Sequence, residues 1–421
     1  MNEPVRVLHV FGRTGRGGAE SRMMDLYRAI DRERIQFDFL VHASASGTGR
    51  TAPSSDELMA VRPADDFDAE IRALGGHIYA LPRMSFSPGK TGIIAYQNAC
   101  EKFFREHEGI WRVVQGHMTS TAALYLASAK RSGVPVTIAH ARSAGRDPGI
   151  KGVLTGILRR PLGDESRIVR LSGGGRAPLV DHRFACSREA GEAVFGKAGA
   201  RVIPNAIPVE AFRFRADMRE RMRSELHLEN CRVIGHVGSF RYAKNHGFLL
   251  RSFQKLQERT GDKSLRLLLV GNGELYEQTQ ADACALGIRE QVVFTGSRGN
   301  VNDLYQAMDL FAFPSRYEGV PGSVIEAQAA ALPCIVSDRI TPDVDVTELV
   351  HREAIGDTVT GITQAQQRWA DRMEELLASN GDAGERTRLS DRVGSSLAEA
   401  GYDAVALARR MERFYLTGEL S

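Results

Sequence analysis

Two carboxylates flank a Pro-Gly break in the stretch Glu318-Gly-Val-Pro-Gly-Ser-Val-Ile-Glu326. The apolar run Leu310-Phe311-Ala312-Phe313 precedes them and stops at Pro314. That order predicts a strand, a tight loop and a helix entrance. Pro321 and Gly322 keep a helix from running back to Glu318. Glu318 is therefore expected in the loop, and Glu326 in the first turn of a helix that starts near Ser323. Two acids beside helix-terminal N–H groups suit a ligand with hydroxyls at one end and phosphates at the other, such as a sugar nucleotide. A second reading uses the same residues: Ser323-x-x-Glu326 has the spacing of a capping box, whose side chains only satisfy the helix's own N–H groups.

Other segments carry related chemistry. Val237-Gly-Ser239-Phe-Arg241-Tyr-Ala-Lys244 opens a strand–helix turn, where Lys244 can neutralise a leaving diphosphate. Gly271 and Gly273 end the next apolar run, and Gly296 the one after, which would give flat access to a base or serve as ordinary turn glycines. Near the start, Gly15-Arg-Gly17-Gly18-Ala-Glu20 lies between a strand and a helix, where backbone and phosphate can approach closely. It is not the GxGxxG dinucleotide fingerprint, because Glu20 stands where glycine is needed, so hydride transfer is disfavoured. His117 and His140 stand at strand ends, where each could bind a sugar hydroxyl, aid proton transfer, or simply bond locally.

The elements that must position these groups alternate. Strands are expected at Val5–Phe11, Phe37–His42, His77–Leu81, Ile110–Gln115 and Val134–Ala139, with weaker ones at Arg183–Cys186 and Arg201–Ile203. The pattern restarts at Arg232–Gly238 and continues through Leu265–Val270, Val292–Thr295, Leu310–Phe313 and Pro333–Ser337. This alternation argues for parallel sheets covered by helices. With 421 residues, two domains are expected. The join falls between Pro204 and Asn230, giving 1–206, 207–401 and a final helix 402–421. Ala43–Pro63 is expected as a mobile loop and Leu171–Pro178, with three successive glycines, as a flexible link.

Composition excludes several classes. Apolar content of 43% and charged content of 25% are those of a soluble globular protein. No run approaches the ~20 apolar residues of a membrane span, and no basic leader precedes the first strand. Five scattered cysteines without CxxC spacing read as buried thiols of a reducing compartment, which places the chain in the cytoplasm. Net charge is only +3, yet Lys130 to Arg188 holds twelve Lys or Arg against four Asp or Glu. That stretch is either a solvated basic face or a surface for anionic lipid or an anionic acceptor, the former being the more usual.

In order and type, these motifs resemble the retaining glycosyltransferases of family 4. The resemblance covers nearly the whole chain: Gly17-Gly18, the Asn205 turn, the Lys244 loop, Gly271 to Gly273, and the Glu318…Glu326 pair. It looks most like the bacterial enzymes of exopolysaccharide or capsule assembly. The resemblance implies an α/β chain of GT-B fold, with two Rossmann-like domains facing across a cleft and a C-terminal helix crossing back to the first. It implies that Glu326 binds ribose hydroxyls, Glu318 contacts the donor sugar, and Lys244 holds the diphosphate with backbone N–H groups near Ser323 and Val324. Gly17 and Gly18 would let the first domain close on the phosphates, and His140 matches the family's active-site histidine, with His117 on the acceptor side. The family usually has Arg after the glycine of the Lys244 loop; here Ser239 stands there and Arg241 follows two residues later.

The expected reaction is hexosyl transfer from a UDP- or GDP-sugar to a saccharide or polyprenyl-linked acceptor. It needs no cofactor and no nucleic-acid partner, and it takes place at the inner face of the plasma membrane if the basic stretch docks there. Asp343-Val-Asp345 resembles the DxD pair that holds a metal in another glycosyltransferase fold, but no further ligands cluster near it, so no metal is expected. Ser239 keeps two alternatives open: a sugar-nucleotide binder of weak or no activity, and a sugar-nucleotide epimerase with the same two-domain plan.

Overall fold

The computed structural model describes residues 3–44, 53–85, 91–142, 149–379 and 383–420. The chain forms two compact units, Met1–Ala206 with Ala404–Ser421, and Ile207–Asp403. Strands of the first are β1 (Val5–Val10), β2 (Ile35–Ala43), β3 (Ile78–Pro82), β4 (Val113–Gly116), β5 (Val136–Ala141), β6 (Ile168–Arg170), β7 (Arg176–Pro178), β8 (His182–Ala185) and β9 (Arg201–Val202). Its sheet runs β3-β2-β1-β4-β5-β8-β9. Every pairing in it is parallel. A parallel sheet must be covered on both faces, and the side chains of β1 show why this one is. Val7 packs with Tyr27, Phe37, Met411 and Phe414 on one side, while Leu8 and Val10 pack with Phe104, Val114 and Tyr125 on the other. The last helix, Ala404–Thr417, buries Leu407, Ala408, Met411, Phe414 and Tyr415, a helical stripe that belongs to this first core.

The second unit holds β10 (Arg232–Val237), β11 (Leu265–Val270), β12 (Val292–Phe294), β13 (Leu310–Phe313), β14 (Cys334–Ser337) and β15 (Val350–Glu353). They are ordered β12-β11-β10-β13-β14-β15 and all pairings are parallel. This is the doubly wound order, in which the direction of winding reverses at the first strand. A crevice therefore opens beyond the carboxyl ends of β10 and β13.

Several expectations change. Residues 45–52 of the presumed mobile loop lie outside the described residues, but Ser55–Val61 is a helix, closed by a Ser54–Glu57 capping box. The triple-glycine link is instead the turn of an antiparallel hairpin, β6 with β7, with Gly174 at φ +88. Strand β15 escaped the sequence pattern because Val350-His-Arg-Glu lies at the sheet edge, half-buried throughout. Cys100, Cys186 and Cys334 are buried as expected, but Cys284 is exposed. No helix of the described residues is long and apolar enough to cross a membrane.

One glycine shows how tightly the loops at the crevice are packed. Gly271 follows β11 with φ +133, and a Cβ there would lie 2.1 Å from the carbonyl oxygen of Gly238. Both the backbone angle and the neighbouring backbone exclude a side chain. Gly271→Ala is expected to destabilise the protein by about 3 kcal/mol, read as a lower urea midpoint at unchanged slope; a midpoint equal to the parent's would show that the two loops can part at no cost.

Candidate functional site

The crevice of the second unit is built by two loops that are bonded to each other. After β10 the chain makes a short 3-10 turn, Tyr242–Lys244, and Asn245 takes the left-handed conformation (φ 60, ψ 40) before helix His246–Thr260 begins. Asparagine is one of the few residues that tolerate this angle. Its side chain then reaches the loop after β13: Nδ2 donates to the Pro314 carbonyl at 3.2 Å, and Oδ1 accepts from Arg316 Nη2 at 2.8 Å. The Arg316 N–H donates to the Ala243 carbonyl at 2.7 Å, and its guanidinium covers the Tyr242 ring at 4.5 Å.

Lys244 and Glu318 meet as a result. Lys244 Nζ lies 2.7 Å from Glu318 Oε1, with side chains 14% and 21% exposed, and 4.4 Å from the centre of the Phe313 ring. Nearby rings add no charge at neutral pH: burial pushes His236 down to about 4 and His246 to about 2. The His236 ring bonds the Ala312 carbonyl through Nδ1 at 2.8 Å. Ser239 is half-buried and Arg241 exposed, the Arg241 N–H donating to the Ser239 carbonyl at 2.8 Å. Gly271 and Gly273 both face backbone of the 238–240 loop, so that loop fills the space their side chains would take.

Glu326 is held separately. Helix Gly322–Ala329 starts after Pro321 and has no side-chain cap bond. The alternative capping box of Ser323 and Glu326 is therefore not formed. Instead Glu326, 8% exposed, accepts a 2.9 Å bond from the Tyr305 hydroxyl, which also lies 3.1 Å from the Ser323 carbonyl. The Val324 N–H is taken by the Pro321 carbonyl at 3.1 Å. Those of Gly322 and Ser323 have no protein acceptor among the described residues. Glu318 stays in the loop, joined by a single parallel bridge to Ile340. Asp345 of the Asp343-Val-Asp345 segment is bound by the Arg352 guanidinium at 2.6 and 2.9 Å.

In the first unit Gly17 caps helix Gly18–Ala29. A Cβ on Gly17 would lie 2.2 Å from Glu20 Oε2, whereas Gly18 has open space. The Glu20 carboxyl, folded back over the helix start, is pushed up by burial. His140 and His117 are 1% and 7% exposed. Their rings stand 5.2 Å apart, and burial first, then Arg142, holds both well below the usual imidazole range. His117 Nδ1 accepts from Arg142 Nε at 3.0 Å, and its Nε2 lies 3.1 Å from His9 Nδ1. Arg142 Nη1 donates to Asn205 Oδ1 at 2.9 Å.

Sequence reasoning passed over Asn245, Tyr305, Arg316 and Arg142. The one local signal among them was Asn245, an asparagine just before a helical run; the others act through partners distant in the chain.

Known proteins are similar to this chain in sequence and in fold. The family model described as "Glycosyl transferases group 1" matches residues 231–379. The putative glycosyltransferase EpsF of Bacillus subtilis is 30% identical over 408 residues, covering 95% of this chain and 93% of the relative. The capsular polysaccharide biosynthesis glycosyltransferase CapH of Staphylococcus aureus is 22% identical, covering 89% and 91%. Among solved structures, Anabaena Alr3699/HepE in complex with UDP-glucose superposes with a TM-score of 0.65 at 16% identity, covering 98% of this chain and 100% of the other. The chain belongs to the group 1 glycosyltransferases and has their GT-B fold of two Rossmann-like domains.

Proposed function

We propose that the second unit binds a nucleotide-diphospho-sugar and that the enzyme transfers its hexosyl unit with retention, as in family 4. Lys244 takes the diphosphate, the Ser323 N–H adds a bond to it, Glu318 meets the sugar and Glu326 the ribose hydroxyls. Ser239, Arg241, Gly271, Gly273 and Val324 border the donor as backbone and loop. The observation that carries this reading is the Lys244–Glu318 pair, 2.7 Å apart at the crevice beyond β10 and β13. The pair is mostly shielded from water, so a charge at Lys244 needs a counter-charge; an incoming phosphate supplies one, takes the place of the carboxylate and frees Glu318 for sugar hydroxyls. The likeness to a fold solved with UDP-glucose supports the donor class.

The first unit, with Gly17, Gly18, His117 and His140, is assigned to the phosphates and the acceptor, a saccharide or polyprenyl-linked sugar in surface polysaccharide assembly, as the names of EpsF and CapH suggest. Attack and departure on one face need no protein nucleophile and no metal: holding the acceptor close and stabilising the diphosphate supply the rate. Exposed apolar side chains Val153, Ile157 and Ile168 (64%, 52% and 55%) lie near Arg160, Arg167 and Arg170 in sequence, a mixture suited to peripheral contact with anionic lipid.

Lys244→Ala is expected to lower transfer from UDP- or GDP-hexoses by roughly 10²–10³-fold with an unchanged melting curve, and the parent product should keep the donor's anomeric configuration by NMR. An unaltered rate removes Lys244 from the mechanism. Donor converted to its epimer with no acceptor present would identify an epimerase, and tight nucleotide binding without turnover a binder. Vesicles containing anionic lipid should sediment the protein at low salt and release it at high salt; no sedimentation at low salt rules out the membrane contact.

A further inference from the structure

The polar cluster at the carboxyl ends of β4 and β5 has more order than burial alone requires. The Tyr415 hydroxyl, on the last helix, donates to Gln115 Oε1 at 2.7 Å. Gln115 Nε2 lies 2.8 Å from His140 Nδ1. All three side chains are buried, and all belong to the first unit. His140 Nε2 is buried with no partner among the described residues. His140, Gln115 and Arg142 line a cavity of about 20 Å³, closed by Leu407 and Met411 of the last helix.

The direction of these bonds follows from counting donors. If the Gln115 amide were turned, its nitrogen would donate to Tyr415 and the hydroxyl proton of Tyr415 would lose its only acceptor among the described residues. Either orientation leaves one buried donor unmade, at a cost of about 1–3 kcal/mol. The His140 ring lines the cavity, where a water can accept from Nε2–H, whereas Tyr415 does not line it, so the arrangement with Tyr415 as donor is preferred. Gln115 Nε2 must then donate to His140 Nδ1, and the ring proton of the neutral imidazole must sit on Nε2. The ring is neutral at physiological pH, since burial and the Arg142 charge hold it far below the ordinary range.

We propose that the last helix, through Tyr415 and Gln115, fixes the tautomer of His140, so that His140 serves as an Nε2–H donor and not as a general base. Its one lone pair is already engaged by Gln115, so it can accept a proton only by losing that bond. A cavity of this size admits one water or a single hydroxyl group, not a sugar ring. Tyr415 and Gln115 are thus positioning residues. Their bearing on catalysis rests on the assignment of His140 to the reacting site made above; the tautomer itself does not.

The test is long-range 1H–15N correlation on protein labelled at histidine, with the His140 signal assigned by its loss in His140→Asn. The parent protein should show Nε2 protonated and Nδ1 bare. In Gln115→Glu the carboxylate accepts from both neighbours, so the proton should move to Nδ1. Tyr415→Phe, which removes only a hydroxyl, should give a mixture of the two forms. A parent spectrum with Nδ1 protonated, or an Nε2–H form that persists unchanged in both variants, overturns the proposal. Transfer assayed on the same samples should fall tenfold or more in Gln115→Glu. If the tautomer moves while transfer does not, the lock is supported, and it is the placing of His140 at the reacting site that fails.

Discussion

The asparagine side chain of Asn245 is the central tie of the candidate donor site. Asn245 bonds the Pro314 carbonyl and Arg316 from a left-handed position at the end of the Lys244 turn. These bonds fix the loop after β10 against the loop after β13. Together with the Arg316 N–H bond to the Ala243 carbonyl, they keep Lys244 and Glu318 from being two side chains on separate loops, each free to sample many rotamers. Fixing long side chains costs up to ~2 kcal/mol each, which an exposed ion pair cannot recover. The pair at 2.7 Å is therefore a product of the loop framework and not the force that builds it. Gly271 and Gly273 belong to the same framework, since only residues without Cβ let the loops after β10 and β11 lie this close.

Much of this was legible from residue types. The two sheets were readable because their central strands are dominated by apolar residues, such as Leu267-Leu-Leu-Val270, buried on both faces. Strand β15 was not, because an edge strand needs one apolar face at most. The Glu318 loop was readable because proline and glycine forbid a helix there. The capping-box alternative for Ser323 and Glu326 had the right spacing but the wrong register: Pro321 already begins the helix, which puts Ser323 inside the first turn where its side chain cannot cap. What sequence could not supply was partnership. Tyr305 lies 21 positions from Glu326 and Gln115 lies 300 from Tyr415, and nothing in the local pattern of either member announces the other.

The two units treat their polar clusters in opposite ways. At β10 and β13 the charges are kept, paired and partly wet, so a charged ligand can trade places with a protein group. At β1, β4 and β5 three histidines are driven neutral by burial, and even Arg142 is pushed down to about 10. Arg142 is half-buried, and His117 and Asn205 accept hydrogen bonds from its guanidinium. Its charge in turn discourages any of the three rings from taking up a proton. In the neutral state each ring can offer one N–H and accept one bond, and the hydrogen-bond chains decide which nitrogen does which. Arg142 donates to His117 Nδ1, so His117 Nε2 carries the proton and donates to His9 Nδ1. Tyr415 and Gln115 impose the same form on His140. Both chains end on an Nε2–H without an acceptor among the described residues, at His9 and at His140. Half-buried Arg142 and buried Tyr415 thus point two neutral imidazoles the same way, and the cluster is chemically a set of donors, suited to oxygen atoms and unsuited to abstracting protons.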